Sequence, residues 1–191
     1  DNKYEYLFQI STKQLIKFIN EVNGKGQVKG IIDNGYKPIE YTYAYKRKNK
    51  DKYVNIKYLE NRITKLTVKP DFDKTQLSPL SDDMLINTID PSTFFLSLLN
   101  YNNIDECKKS FKIFDGKRRY DVIFKEKLIN EDTNIIECTA EQIKIGGYKE
   151  KESDVFASSE YIKIMYSLNG KNFAGYEAGN GALKIYISEK N

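Results

Sequence analysis

Aromatic and β-branched side chains recur at every second position through much of this chain. Tyr4, Tyr6, Phe8 and Ile10 alternate with mostly polar neighbours, and Tyr41, Tyr43 and Tyr45 do the same. A two-residue period puts one set of side chains on one face of an extended strand, so the default element is a strand in a half-buried sheet. Further strands are expected at Val28–Ile32, Pro38–Lys46, Tyr53–Tyr58 and Ile63–Val68, then at Ser110–Phe114, Arg119–Lys127, Asn134–Ile145, Glu160–Leu168 and Ala182–Ser188. Spacings of about 8–12 residues between such strands fit an antiparallel sandwich or barrel. The tyrosine row reads as one strand face with its hydroxyls at the edge of the core, rather than as a platform for sugars or bases. The chain has 191 residues and shows no internal repeat or boundary, so 1–191 is read as one domain.

Two stretches change period. In "TKQLIKFINEVNGKG", Leu15, Ile16, Phe18, Ile19 and Val22 fit a short helix face with Gly24 as its stop. In "DPSTFFLSLLNY", Asp90 suits an N-cap and Pro91 the first helical position. Phe94, Phe95, Leu96, Leu98 and Leu99 then make the most apolar helix in the sequence, which must be buried. Between the two halves, 70–89 has two prolines, many acids and no clear period, with room for a turn of helix after Ser81. Long irregular segments inside a domain are often functional, so this one is either a crossover connection or a flap over a cavity. "DNGY" at 33–36 and the Gly146–Gly147 pair mark turns.

Composition excludes several chemistries. There is no histidine, hence no Ser-His-Asp or Cys-His centre and no His-ligated metal. Cys107 and Cys138 are the two cysteines; without a CxxC spacing they do not suggest a zinc site, and they are either free thiols or one disulfide. The charge balance is 31 cations against 27 acids. The densest basic run, Lys46, Arg47, Lys48 and Lys50, reads as a solvated hairpin tip, so no nucleic-acid partner is expected. No apolar run approaches the roughly 18 residues of a transmembrane helix. No cofactor or metal is implied.

The densest charged motif is "FDGKRRYD", from Phe114 to Asp121. Asp115-Gly116 between two apolar stretches is a hairpin signal, because glycine accepts the positive φ that the turn requires. Beyond it, Arg118, Tyr120, Val122 and Phe124 share one face, and Arg119 and Asp121 share the other, close enough to pair. Arg118 is a cation in an apolar row. It either snorkels at the sheet rim or meets a carboxylate or an anionic ligand group. Asp115, Asp121 and Arg119 are the only candidates for catalysis, and a turn plus an ion pair accounts for all three, so no enzyme is expected.

"DPSTFFLSLL", Cys107, "FDGKRRYDV", Cys138 and "GGY" at 146–148, taken in that order, resemble the bacterial domain-of-unknown-function family 3108. The resemblance runs from about Tyr4 to Ile187. It implies a mainly β fold of the lipoprotein-carrier type, a curved antiparallel sheet forming an open half-barrel with Asp90 to Leu99 as its plug helix. It implies a periplasmic protein of a Gram-negative bacterium, its signal peptide removed or omitted, and in that oxidising compartment a Cys107–Cys138 disulfide. The sequence departs from the family in two ways. Phe94 and Phe95 stand where small residues are commoner, and a family strand with a Gly pair, upstream of the position matching Tyr4, is missing. The expected role is binding a hydrophobic ligand, a lipid or acyl chain, with Phe94, Phe95, Leu98 and Leu99 lining the half-barrel and Arg118 at its rim. The alternative is an envelope assembly protein that docks another protein on its sheet edge or aromatic face.

Overall fold

A computed structural model of the chain describes residues 2–11, 22–47, 50–99, 107, 109–150, 161–169, 172–178 and 183–186. Five strands come first: β1 (Lys3–Ser11), β2 (Val22–Ile32), β3 (Tyr36–Arg47), β4 (Lys50–Leu59) and β5 (Arg62–Lys69). Two 3-10 turns follow, Lys74–Gln76 and Asp82–Leu85, then helix α1 (Pro91–Leu99). Six strands complete the described chain: β6 (Ser110–Phe114), β7 (Arg119–Asn130), β8 (Ile135–Gly146), β9 (Tyr161–Ser167), β10 (Phe173–Ala178) and β11 (Leu183–Tyr186). The fold is mainly β, as the sequence implies: two antiparallel sheets, one curled into an open half-barrel, and one short α-helix. Each sheet is a meander in chain order, β1 to β5 and β6 to β11. Among the described residues, no helix is long and apolar enough to cross a membrane.

The helix expected over "TKQLIKFINEVNGKG" needs correction at its end. Val22 to Gly26 belong to β2, which pairs with β1 on one side and β3 on the other. Ladders on both sides outweigh a weak helical period. Leu15, Ile16, Phe18 and Ile19 lie outside the described residues. Strand β10 carries no clear alternation, since Gly175 interrupts "FAGYEA", and the sequence pattern does not predict it.

Two cores meet at α1. Phe94 and Leu98 pack with Ile113, Val122, Ile136 and Ile164 of the six-stranded sheet. Leu96 packs with Val28, Tyr41, Ile56 and Tyr58 of the five-stranded one. Leu99 touches both cores. Just before the helix, Ile89 bridges in parallel to Ile113. The Ile89 amide donates to the Lys112 carbonyl at 2.9 Å, and the Phe114 amide donates to the Ile89 carbonyl at 2.9 Å. The chain entering α1 thus satisfies backbone groups on the open side of β6, which would otherwise be a bare edge.

Cys107 and Cys138 are joined, with Cα atoms 5.4 Å apart, and both are buried in the core of the six-stranded sheet. The bridge ties the connection after α1 to β8. Removing a native disulfide typically costs about 2–5 kcal/mol. Replacing both cysteines by serine should lower the unfolding free energy by that order in denaturant titrations, and reductant should have no further effect on the variant. The intact, unreduced protein should weigh two hydrogens less than the reduced one.

Candidate functional site

The N-cap at α1 is a buried polar node. Asp90 has no exposed surface. Its Oδ1 accepts from the Ser92 and Thr93 amides, each at 2.9 Å, and its Oδ2 accepts from Thr93 Oγ1 at 2.6 Å. Because Thr93 gives its proton to Asp90, the Tyr4 hydroxyl must be the donor in its 3.4 Å contact with Thr93 Oγ1. Burial raises the Asp90 carboxyl to about 6, against the pull of these hydrogen bonds. Tyr4, Tyr41 and Tyr58, whose hydroxyls feel the Asp90 charge, are all pushed upward chiefly by burial and hence neutral at ordinary pH.

The "FDGKRRYD" motif is a hairpin that performs three tasks. Asp115 Oδ1 accepts from the amides of Lys117 at 2.8 Å and Arg118 at 2.6 Å, which closes the turn. Burial raises the Asp115 carboxyl, offset in part by Arg118, whose guanidinium lies 3.8 Å away. Gly116, at φ +95°, presses on β4: a Cβ there would sit 2.6 Å from Val54 Cγ1. Phe114 is buried in the core of the five-stranded sheet although its strand belongs to the other. Arg119 is almost fully buried, paired with Asp121 at 2.7 Å, and its Nε donates to the Met84 carbonyl at 2.9 Å. It therefore clamps the 82–85 turn onto β7.

A groove of about 490 Å³ opens above this hairpin. One wall is β5, the edge strand of its sheet among the described residues. The other is the 72–86 segment, the crossover between the two sheets, which also borders the groove as a flap. Ile63, Leu66, Phe72, Leu80, Ile86 and Phe114 give it apolar surface. Ser78 anchors the flap: its amide donates to the Tyr148 carbonyl at 2.7 Å, its carbonyl accepts from the Gly147 amide at 3.1 Å, and its Oγ accepts from the Tyr148 amide at 3.1 Å. Gly147, at φ +80°, leaves no room for a side chain, since a Cβ would lie 1.9 Å from the Lys117 carbonyl. The hairpin tip, the glycine pair and the flap thus close on one another beside β5.

The residues expected to line a cavity lie elsewhere. Phe94 and Leu98 are buried in the core, Phe94 against Phe111 and Phe95 against Phe173 in edge-to-face pairs. Phe94, Phe95, Leu98 and Leu99 line neither this groove nor a smaller hollow of about 100 Å³ beside Tyr36 and Asn87. Arg118 takes the carboxylate option, next to Asp115, and its guanidinium lies 5.9 Å from the centre of the Tyr148 ring. Its neighbour Lys117 lines the groove instead. The tyrosine row is a strand face: Tyr41 is buried, Tyr43 and Tyr45 stack at 4.8 Å, and Phe8 lies against Tyr43 at 5.6 Å. Sequence reasoning did not single out Arg62, Lys65, Leu66 or Lys74, although the absence of any acid in "RITKLTVK" was visible.

Two antiparallel meanders, one curled into an open half-barrel, around a capped helix, with a groove where the hairpin tip meets the flap, define a class of β protein by architecture and not by reaction. The chain belongs to the DUF3108 family, proteins of unknown function, whose pattern matches residues 1–186. No curated protein and no solved structure matches it.

Two measurements test this geometry. Asp90 has a folded pKa near 6, above its ordinary 3.8. A group raised in this way contributes stability fully below its unfolded pKa and loses it as pH rises through the folded one. Two units correspond to about 3 kcal/mol. The stability difference between wild type and Asp90→Asn should therefore shift by about that amount, in favour of Asn, from about one unit below the unfolded pKa to about one unit above the folded one, because Asn keeps a carbonyl acceptor for the cap. Gly116→Ala should cost about 1–3 kcal/mol from backbone strain and contact, and a Val54→Ala background should recover the contact part alone.

Proposed function

We propose that this protein is a periplasmic binding protein for a hydrophobic ligand, a lipid or acyl chain, held in the groove between β5, the flap and the hairpin tip. The groove carries this reading. Its volume of about 490 Å³ lies within the range of small-molecule sites, and its lining mixes apolar side chains with a few polar ones. The Cys107–Cys138 bridge supports an oxidising compartment. No residue is assigned a catalytic role, because the candidate acids and Arg119 are occupied in the turn and the flap clamp. A second reading, docking of an envelope protein on a sheet edge, is favoured by the edge strand β1, where Leu7 is 77 % exposed and Tyr6 and Ile10 are exposed beside it.

Native mass spectrometry on protein purified from its envelope fraction without detergent tests the binding reading. A bound species of a few hundred daltons is expected, and it should be lost in Leu66→Glu. Leu66 is 38 % exposed at the groove, so that variant should keep its fold, with a stability change within about 1 kcal/mol. A bare monomer, or a bound mass that Leu66→Glu retains, would remove the groove from consideration. A discrete multimer that dissociates on Leu7→Lys would favour the docking reading.

A further inference from the structure

We infer that the groove selects an apolar chain carrying an anionic headgroup. This rests on the groove being the binding site and adds which ligands it takes. Arg62, Lys65, Lys74 and Lys117 line it, against a single acid, Asp82. Among the described residues, Arg62, Lys65 and Lys74 make no ion pair. Several cations elsewhere on the sheets do meet acids: Lys29 with Glu5, Lys57 with Glu40, Lys125 with Glu141 and Lys163 with Glu137. Lys65 is the opposite case. Its cross-strand neighbour is Lys57, a like-charge pair that costs stability, and Lys57 is already committed to Glu40 at 3.5 Å.

A lysine on an edge strand can serve simply to discourage strand pairing. That explanation covers Arg62 and Lys65 but not Lys74, which comes from the flap on the other side of the groove. Asp73, next to Lys74, spends its carboxylate on Thr75 and Gln76. Unmatched positive charge therefore converges on one apolar trough from two separate walls. Pairing in the sheet also jumps from Lys57↔Lys65 to Tyr58↔Ile63, leaving Thr64 as a bulge. Bulges bend an edge strand and re-aim its side chains, and this one separates the apolar Ile63 and Leu66 from the cations between and beside them. A carboxylate or phosphate at the rim gains charge-assisted hydrogen bonds that a neutral head cannot make, while the tail covers Leu66, Phe72 and Leu80.

The test compares three twelve-carbon probes below their micelle concentrations by titration calorimetry on the full chain: dodecanoate, 1-dodecanol and dodecyltrimethylammonium. Dodecanoate should bind at least about tenfold more tightly than 1-dodecanol, and the cationic probe should bind most weakly. In Arg62→Gln/Lys65→Gln/Lys74→Gln, dodecanoate should fall to the level of 1-dodecanol while 1-dodecanol itself is unchanged, which also shows that the groove is intact. Lys25→Gln, on β2 away from the groove, should leave all three affinities as they are. Equal binding of dodecanoate and 1-dodecanol by the wild type overturns the headgroup assignment and leaves the groove reading standing. Binding of none of the three overturns both.

Discussion

Asp90 sits where nothing but protein can stabilise it, and three donors from the first turn of α1 do so. A helix of nine residues has little stability of its own. Here its positive end meets a carboxylate, while its sides supply Phe94 and Leu98 to one core and Leu96 to the other. One residue upstream, Ile89 is hydrogen-bonded to β6, and from β1 the Tyr4 hydroxyl reaches Thr93. The cap thus fixes the height and direction at which the helix enters, and the contacts between the two sheets follow from that. Desolvating the acid is costly, as its raised pKa records, so the position depends on the complete donor set.

The groove is assembled from pieces far apart in the chain, each held by a different device. The β5 wall is fixed by pairing to β4. The flap is tied down twice, by Ser78 to Gly147 and Tyr148 and by Arg119 to Met84. The floor is the hairpin tip, where Gly116 and Phe114 engage the opposite sheet. Most of the charge in "FDGKRRYD" is thereby internal: it shapes the site, and the cations that face the groove come mainly from β5 and the flap. This separates residues that identify the family from residues that would choose a ligand.

Much of the architecture was readable because it depends on local pattern. The Tyr41–Tyr43–Tyr45 alternation, Asp90-Pro91 and Asp115-Gly116 each encode an element through their nearest neighbours, and all three occur as read. What failed to show depends on contacts between distant parts of the chain. Arg119, not Arg118, is the nearly fully buried cation, because the 82–85 turn packs over its face of β7 and its Nε meets the Met84 carbonyl there. Val22, read as the last residue of a helix face, and Gly24, read as its stop, are strand because β2 pairs with β3 at both and with β1 at Gly24. The groove was invisible for the same reason. Arg62 to Leu66 border it only because β5 ends its sheet, a fact of strand order rather than of composition.

The two meanders have a consequence for how the chain acquires its shape. Within each sheet every strand pairs with its neighbour in sequence, so the loops to be closed are short and their entropy cost is small. The halves are united where Ile89 to Leu99 enters both cores, where Phe114 and Gly116 of the β6–β7 hairpin meet the five-stranded sheet, and where Ser78 and Met84 bond to residues 147–148 and to Arg119. Two locally wired meanders are thus stitched together by a few long-range contacts, and a change at any of these is felt on both sides.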